Sequence, residues 1–297
     1  MTALSMGHPP RQNSRRLRIG AVSYLNTKPL VYHLSRLAPD VDLVFDLPSR
    51  LATELAAGRL DVALIPSIEY LQEPSYTIVS DACIACRGPV LSVKLLSRKP
   101  LEEIRTLALD EGSRTSAVLV QILLDERFGL RPQLRSLPIG AAPGDSPADA
   151  VLLIGDRAIH ARAETAFVED WDLGDEWCRW SALPFVFAMW VARAETDLRG
   201  VDVALSEARD FGVAHVAEIA SQEAAGVGLT ESQTLSYLRD NLYFYLGPRE
   251  RCGLELFYRH AARLGLTPAG AELPLDRNIT RAAGNNLPVG RSSEAVW

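Results

Sequence analysis

The segment YTIVSDACIACRGPVLSVKLLS, Tyr76 to Ser97, decides how this chain is organised. It is dense in β-forming residues and interrupted only by Gly88-Pro89. At 22 residues it is far longer than the five or six of a usual strand. A stretch of this kind leaves one lobe and enters another. Upstream of it, Arg18 to Val22 reads as a buried strand. Asn26 or Thr27 then starts a helix, with Pro29 in its first turn and Leu30 to Leu37 along it. Val41 to Phe45 alternates as a second strand. Pro48-Ser49 opens a helix carrying Leu51, Leu55 and Leu60 on one face, and Asp61 to Ile65 is a third strand ending at Pro66. Strands that alternate with single helices imply parallel pairing through crossovers.

Downstream the rhythm repeats. Thr106 to Leu109 is a strand, Ser113 to Phe128 an amphipathic helix closed by Gly129, Gln133 to Ile139 a strand, and Asp149 to Asp156 another. LPFVFAMWVA, Leu183 to Ala192, is a second long apolar run able to carry the chain back. Residues 196–266 then read as helical. Lobe, crossing, second lobe and return define an α/β protein with a two-lobed, type II periplasmic-binding-protein-like fold, its two crossing strands forming the hinge. The expected divisions are a disordered tail at 1–16, the first lobe at 17–93, the second at 94–187, the helical return to the first at 188–267, and a loose tail at 268–297. In such a fold the ligand lies between the lobes, near strand ends and helix starts.

Composition removes several classes of function. The chain has 297 residues, is 47% hydrophobic and carries a net charge of −6. It can bury a large core, and it has no global attraction for nucleic acid or an anionic membrane. Four cysteines in this length are not a disulfide scaffold. Cys83 and Cys86 form a C-x-x-C on a strand, where residues three apart face opposite ways, and no second pair completes a zinc site. Residues 1–18 are polar and basic without an apolar core, and no apolar run reaches the roughly 18 residues of a membrane span. The expected location is cytoplasmic. His8, His33, His160, His215 and His260 fall in no metal-ligand spacing, and neither a nucleophile elbow nor a phosphate loop is present. No metal, nucleotide or organic cofactor is expected.

Four segments carry a family likeness. They are GAVSYLNTKPL (Gly20–Leu30), LDVALIPSIEY (Leu60–Tyr70), GPVLSV (Gly88–Val93) with SRTS (Ser113–Ser116) downstream, and VLLIGD (Val151–Asp156) with LPFVFAMW (Leu183–Trp190) beyond it. In this order and at these spacings they resemble the chorismate dehydratases of the futalosine route to menaquinone, over about residues 18–266. The resemblance implies loss of water from chorismate, a small dianion, to give 3-[(1-carboxyvinyl)oxy]benzoate. A hydrogen leaves C3, the hydroxyl leaves C4, and the ring becomes aromatic. Charge developing on the ring spreads into its carboxylate, and the leaving hydroxyl needs a proton or a hydrogen bond. Asn26 and Ser92 are the catalytic candidates that the resemblance implies. Ser67, Ser113, Arg114, Thr115, Ser116, Gly155 and Asp156 are the substrate-binding candidates. The starts of the helices at Asn26-Thr27 and Ser113–Ser116 suit carboxylates, and the Arg114 guanidinium adds a two-pronged donor.

Ordinary structural roles stay open for these residues. Asn26 and Ser113 to Ser116 suit helix caps, Ser92 a strand hydroxyl bonded to backbone, and Ser67 and Asp156 a turn. Glu69-Tyr70 reads as structural near the hinge, Asp110-Glu111 as a solvated loop pair, and Phe185, Phe187 and Trp190 as core. Two other functions share the fold: a solute-binding protein for a small anion, and the sister 1,4-dihydroxy-6-naphthoate synthase. The first would call for an export signal, which residues 1–18 are not expected to supply. The second typically opens with a Ser-Pro-Cys-Pro-Asn-Asp loop and a histidine base, where this chain has Ser23 to Thr27. The sequence leaves the oligomeric state open.

Overall fold

A computed structural model describes residues 15–160 and 167–268; the segments 1–14 and 269–297, read as parts of the two tails, lie outside the described residues. The chain opens with β1 (Leu17–Val22), a 3-10 turn (Leu25–Val31) and α1 (Leu34–Leu37). It continues through β2 (Val41–Asp46), α2 (Pro48–Ala56), β3 (Val62–Pro66) and β4 (Tyr76–Cys86). Then come β5 (Val93–Ser97), β6 (Thr106–Asp110), α3 (Thr115–Phe128), β7 (Gln133–Leu137), β8 (Ala150–Ile154), α4 (Asp156–His160), β9 (Glu169–Asp172) and α5 (Leu173–Ser181). The return is made by β10 (Phe185–Arg193). After it follow α6 (Val201–Ala214), α7 (Val216–Glu223), α8 (Glu231–Ser236), a π-helical turn (Tyr237–Asn241), β11 (Tyr243–Tyr245) and α9 (Pro248–Arg263).

These strands form two sheets. The larger has the order β11-β4-β10-β3-β1-β2 and the smaller β7-β6-β8-β5-β9. The chain passes from the larger to the smaller across Arg87–Ser92 and back across Ala182–Pro184. The segment Tyr76–Ser97 is therefore two strands in two sheets, broken where Gly88-Pro89 stands. Phe185 pairs with Cys86 inside the larger sheet, so the return is complete before that residue.

Parallel pairing holds for β1 with β2 and β3, and for β6 with β7 and β8. The expectation of parallel sheets holds only in part. β10 enters antiparallel between β3 and β4, β11 is antiparallel to β4, and β5 is antiparallel to β8 and β9. A strand that arrives from the other sheet has no preceding crossover to fix its direction. Its continuous apolar run suits a central place, and every residue of β10 but Arg193 is buried. β3 and β8 are likewise buried at every position.

Two other expectations change. The helix foreseen from Leu30 to Leu37 is a 3-10 turn with Pro29 inside it, followed by the four-residue α1. α6 packs so closely on this turn that a Cβ on Gly212 would lie 2.0 Å from the Pro29 carbonyl oxygen. The region 196–266 is helical except for β11, which pairs with the far edge of β4.

Candidate active site

The parallel strands of both sheets point their C-terminal ends into one cleft of about 510 Å³, its open mouth included. Val22 and Pro66, at the ends of β1 and β3, form one wall with Tyr24, Asn26 and Phe187. Ser92, Ile154, Gly155 and the residues Ser113 to Ser116 at the start of α3 form the other. This is where a ligand sits in an open α/β sheet, outside the carboxyl ends of its strands.

Seven of the nine candidates named from sequence border this cleft: Asn26, Ser92, Ser113, Arg114, Thr115, Ser116 and Gly155. Asn26 lies inside the 3-10 turn. The residue preceding that turn is Tyr24, and no side chain caps it. Asn26 therefore does not fill the helix-cap role open to it from sequence. Thr27 donates its hydroxyl to Asn26 Oδ1 at 3.3 Å, which turns the amide N–H donors away from that contact.

Ser92 ends the first crossing. The Asp172 carboxylate takes the N–H groups of Val90 (3.0 Å) and Leu91 (2.6 Å), and Leu91 has φ +60°. Asp172 also caps α5 by accepting from the Asp175 N–H at 3.0 Å, so one carboxylate shapes both the crossing loop and a helix start. Gly155 N–H donates to Ser92 O at 2.9 Å, which places the two residues side by side.

Ser67 and Asp156 lie outside the cleft lining. Ser67 is wholly buried, donating to Val186 O at 2.8 Å, while its own carbonyl accepts from Tyr258 OH at 2.6 Å. Thr115 Oγ1 accepts from the Ile68 N–H at 3.2 Å, a bond across the cleft. The Asp156 carboxylate also crosses it, accepting from the Leu25 N–H at 3.1 and 3.3 Å. Burial raises the acid range of Asp156 above that of an ordinary aspartate, and the Leu25 bond opposes the rise. The helix start foreseen near Asn26 as a carboxylate site is thus already answered by a carboxylate of the protein itself.

Arg114 borders the cleft with its guanidinium engaged. It donates to Glu69 Oε2 at 2.7 Å and to Thr53 Oγ1 at 2.8 Å. Glu69 accordingly has the structural role read from sequence. Asp110 departs from its expected solvated place. It is 3% exposed and accepts from the Gly112 N–H (2.9 Å), the Ile154 N–H (3.2 Å) and the Arg157 guanidinium.

Sequence reasoning also passed over two aromatic residues. The Tyr24 ring lies against Gly155, where a Cβ would come within 2.7 Å of ring carbons; Gly155 has φ +70°. The glycine thus admits a neighbouring ring of the opposite wall. Tyr24 is kept neutral by burial, and the nearby Asp110 adds to the effect. Tyr237 comes from the π-helical turn and is 1% exposed. Its hydroxyl and that of Ser92 are both buried without a hydrogen-bond partner among the described residues. An unmet buried hydroxyl costs about 1–3 kcal/mol. No sequence signal marked Tyr237, because a π turn is invisible to 3.6-residue periodicity.

Among the described residues no group of three or more His, Cys, Asp or Glu is placed to hold a metal ion. Cys83 and Cys86 are buried in β4, and burial pushes both thiols up, away from the reactive thiolate form. No described helix is long and apolar enough to cross a membrane.

Comparison with known proteins gives the family and the fold. A family described as menaquinone biosynthesis matches residues 17–263. The chorismate dehydratase of Thermus thermophilus is 34% identical over 266 residues, covering 84% of this chain and 95% of that one. Among solved structures, a protein from Archaeoglobus fulgidus superposes with a TM-score of 0.71 at 16% identity, over 86% of this chain and 99% of that one. The periplasmic aliphatic sulphonate binding protein of Escherichia coli gives 0.62 at 15% identity, over 95% and 98%. These two likenesses establish the two-lobed, periplasmic-binding-protein-like fold. The sequence match along nearly all of both sheets settles the lineage: the chain belongs to the menaquinone biosynthesis family.

Proposed function

We propose that this enzyme is a chorismate dehydratase, a hydro-lyase that removes water from chorismate to give 3-[(1-carboxyvinyl)oxy]benzoate on the futalosine route. The observation that carries the reading is the convergence, in one cleft, of the Asn26 amide, the Ser92 hydroxyl and the start of α3 at Ser113–Ser116. The 34% identity to a named chorismate dehydratase supplies the reaction.

The chemistry follows from what each group can do. The first turn of α3 presents backbone N–H groups that lack helical partners, together with the positive end of the helix dipole. These suit a substrate carboxylate, with Ser113, Thr115 and Ser116 adding hydroxyls. Phe187, Ile154 and Val22 supply apolar surface for the ring. The elimination breaks C3–H and C4–O and forms a ring double bond. Asn26 is too weak a base to take the C3 proton; its role is to orient the substrate and to donate to developing charge. Ser92 hydrogen-bonds the departing hydroxyl. The substrate's own side-chain carboxylate is the proton acceptor we favour, since among the described residues no histidine borders the cleft.

The test is incubation of the purified protein with chorismate, without added metal or cofactor. A product lighter by one water, with aromatic absorbance, supports the proposal. Chorismate bound but unchanged would point instead to a small-anion binding protein.

A further inference from the structure

The two unpartnered hydroxyls belong to one place. Ser92 borders the cleft, while Tyr237 sits behind it, nearly wholly buried and outside the lining. The side chains that face the Tyr237 hydroxyl include those of Ser92 and Asn26, the two catalytic candidates, with the Asp156 and Asp172 carboxylates also acting on it, though none makes a well-formed hydrogen bond to it. Burial keeps the phenol neutral, so it remains a donor at any ordinary pH.

The backbone around Tyr237 is also unusual. α8 starts regularly, with a full capping box between Thr230 and Gln233. It then widens into the π turn Tyr237–Asn241, a rare element that occurs frequently at functional sites. The far end of that turn is tied to the crossing loop, where Asn241 Nδ2 donates to Pro89 O at 2.9 Å, three residues before Ser92. The turn thus braces the loop that carries Ser92 and places a hydroxyl against it.

For stability alone, phenylalanine would be the better residue here, because it fills the same space without burying an unmet polar group. We infer that Tyr237 is a positioning residue, its hydroxyl pairing with that of Ser92 when substrate is bound and holding Ser92 in the orientation in which it meets the departing hydroxyl. The inference rests on the dehydratase reading.

The test compares wild type, Tyr237→Phe, Ser92→Ala and the double variant, measuring kcat and KM on chorismate together with Tm. Tyr237→Phe is expected to lower kcat on the order of tenfold, the size of one hydrogen bond that Ser92 would make to Tyr237 only with substrate bound, with KM nearly unchanged. Its Tm should equal or exceed that of wild type, an outcome that a merely structural tyrosine would not give. The double variant should be no slower than Ser92→Ala alone, because Tyr237 acts through Ser92. Full kcat in Tyr237→Phe overturns the inference. So does a fall in Tm, or losses that multiply in the double variant. A wild-type protein that leaves chorismate unchanged refutes the dehydratase reading and this inference with it, whereas an active wild type with an unaffected Tyr237→Phe refutes the inference alone.

Discussion

Replacing Gly155 by alanine should disable the enzyme by holding its two walls apart. The position has φ +70°, which costs an L-residue about 1–2 kcal/mol wherever the walls lie. The new Cβ would also fall 2.7 Å from Tyr24 Cε1 and Cζ and 2.8 Å from Cδ1. Carbon atoms rest at about 3.5–4.0 Å, so the ring must retreat by about 1 Å. Overpacking of this size costs about 1–3 kcal/mol. Unlike the backbone strain, it is felt only when Tyr24 and Gly155 are in contact. The ratio of closed to open molecules should therefore fall about 5- to 150-fold. Steady-state kinetics on chorismate should show kcat/KM reduced within that range, and small-angle scattering of the saturated protein should show a larger radius of gyration. Unchanged kcat/KM and an unchanged scattering profile would mean that the ring had moved aside without opening the cleft, and that the Tyr24–Gly155 contact does not govern closure.

Asn26→Ala should reduce kcat by about 10²–10³-fold, as for loss of one preorganised donor, with Tm nearly unchanged because Asn26 caps no helix. A lowered Tm with retained turnover would restore the capping role instead. Asp156→Asn should be at least as stable as wild type at pH 7. Burial raises the folded-state acid range of Asp156, so its contribution to stability is fully present below its unfolded value, near pH 3.9, and is lost as pH rises through the folded value. Thermal melts from pH 3 to 8 should show the advantage of the asparagine variant shrinking as pH falls, and a variant less stable at pH 7 than at pH 4, relative to wild type, would contradict this. Gly212→Ala, whose Cβ would meet the Pro29 carbonyl at 2.0 Å, should cost about 3 kcal/mol or more and lower Tm by roughly 6 °C or more. A melt within a degree of wild type would show that α6 shifts freely on the 3-10 turn.

What the sequence disclosed was what local pattern can carry. β3 and β8 are unbroken apolar runs, buried at every position, and they read directly as strands. The end of α3 was marked by Gly129, which adopts the left-handed conformation expected of it. Candidates at strand ends and helix starts fell into the cleft because parallel strands bring those points together. The rest depends on contacts between distant residues. β9 has the sequence EDWD and β11 only YFY, and each is a strand because an edge lies beside it. Asp110 sits next to Glu111 in a polar pair, and its burial is decided by Arg157 and the Ile154 N–H, more than forty positions away. Asp156 finds its partner 131 residues away, at Leu25. Tyr237 matters through the π turn that carries it, a backbone event with no residue signature.

Dehydratase activity is decided by following chorismate and product together in one reaction with the purified protein and a chelator present. Each chorismate consumed should yield one aromatic 3-[(1-carboxyvinyl)oxy]benzoate and one water, at a rate proportional to protein and lost in the Asn26→Ala control. Chorismate that persists beside fully folded protein, or a product that retains the C4 oxygen, would contradict it.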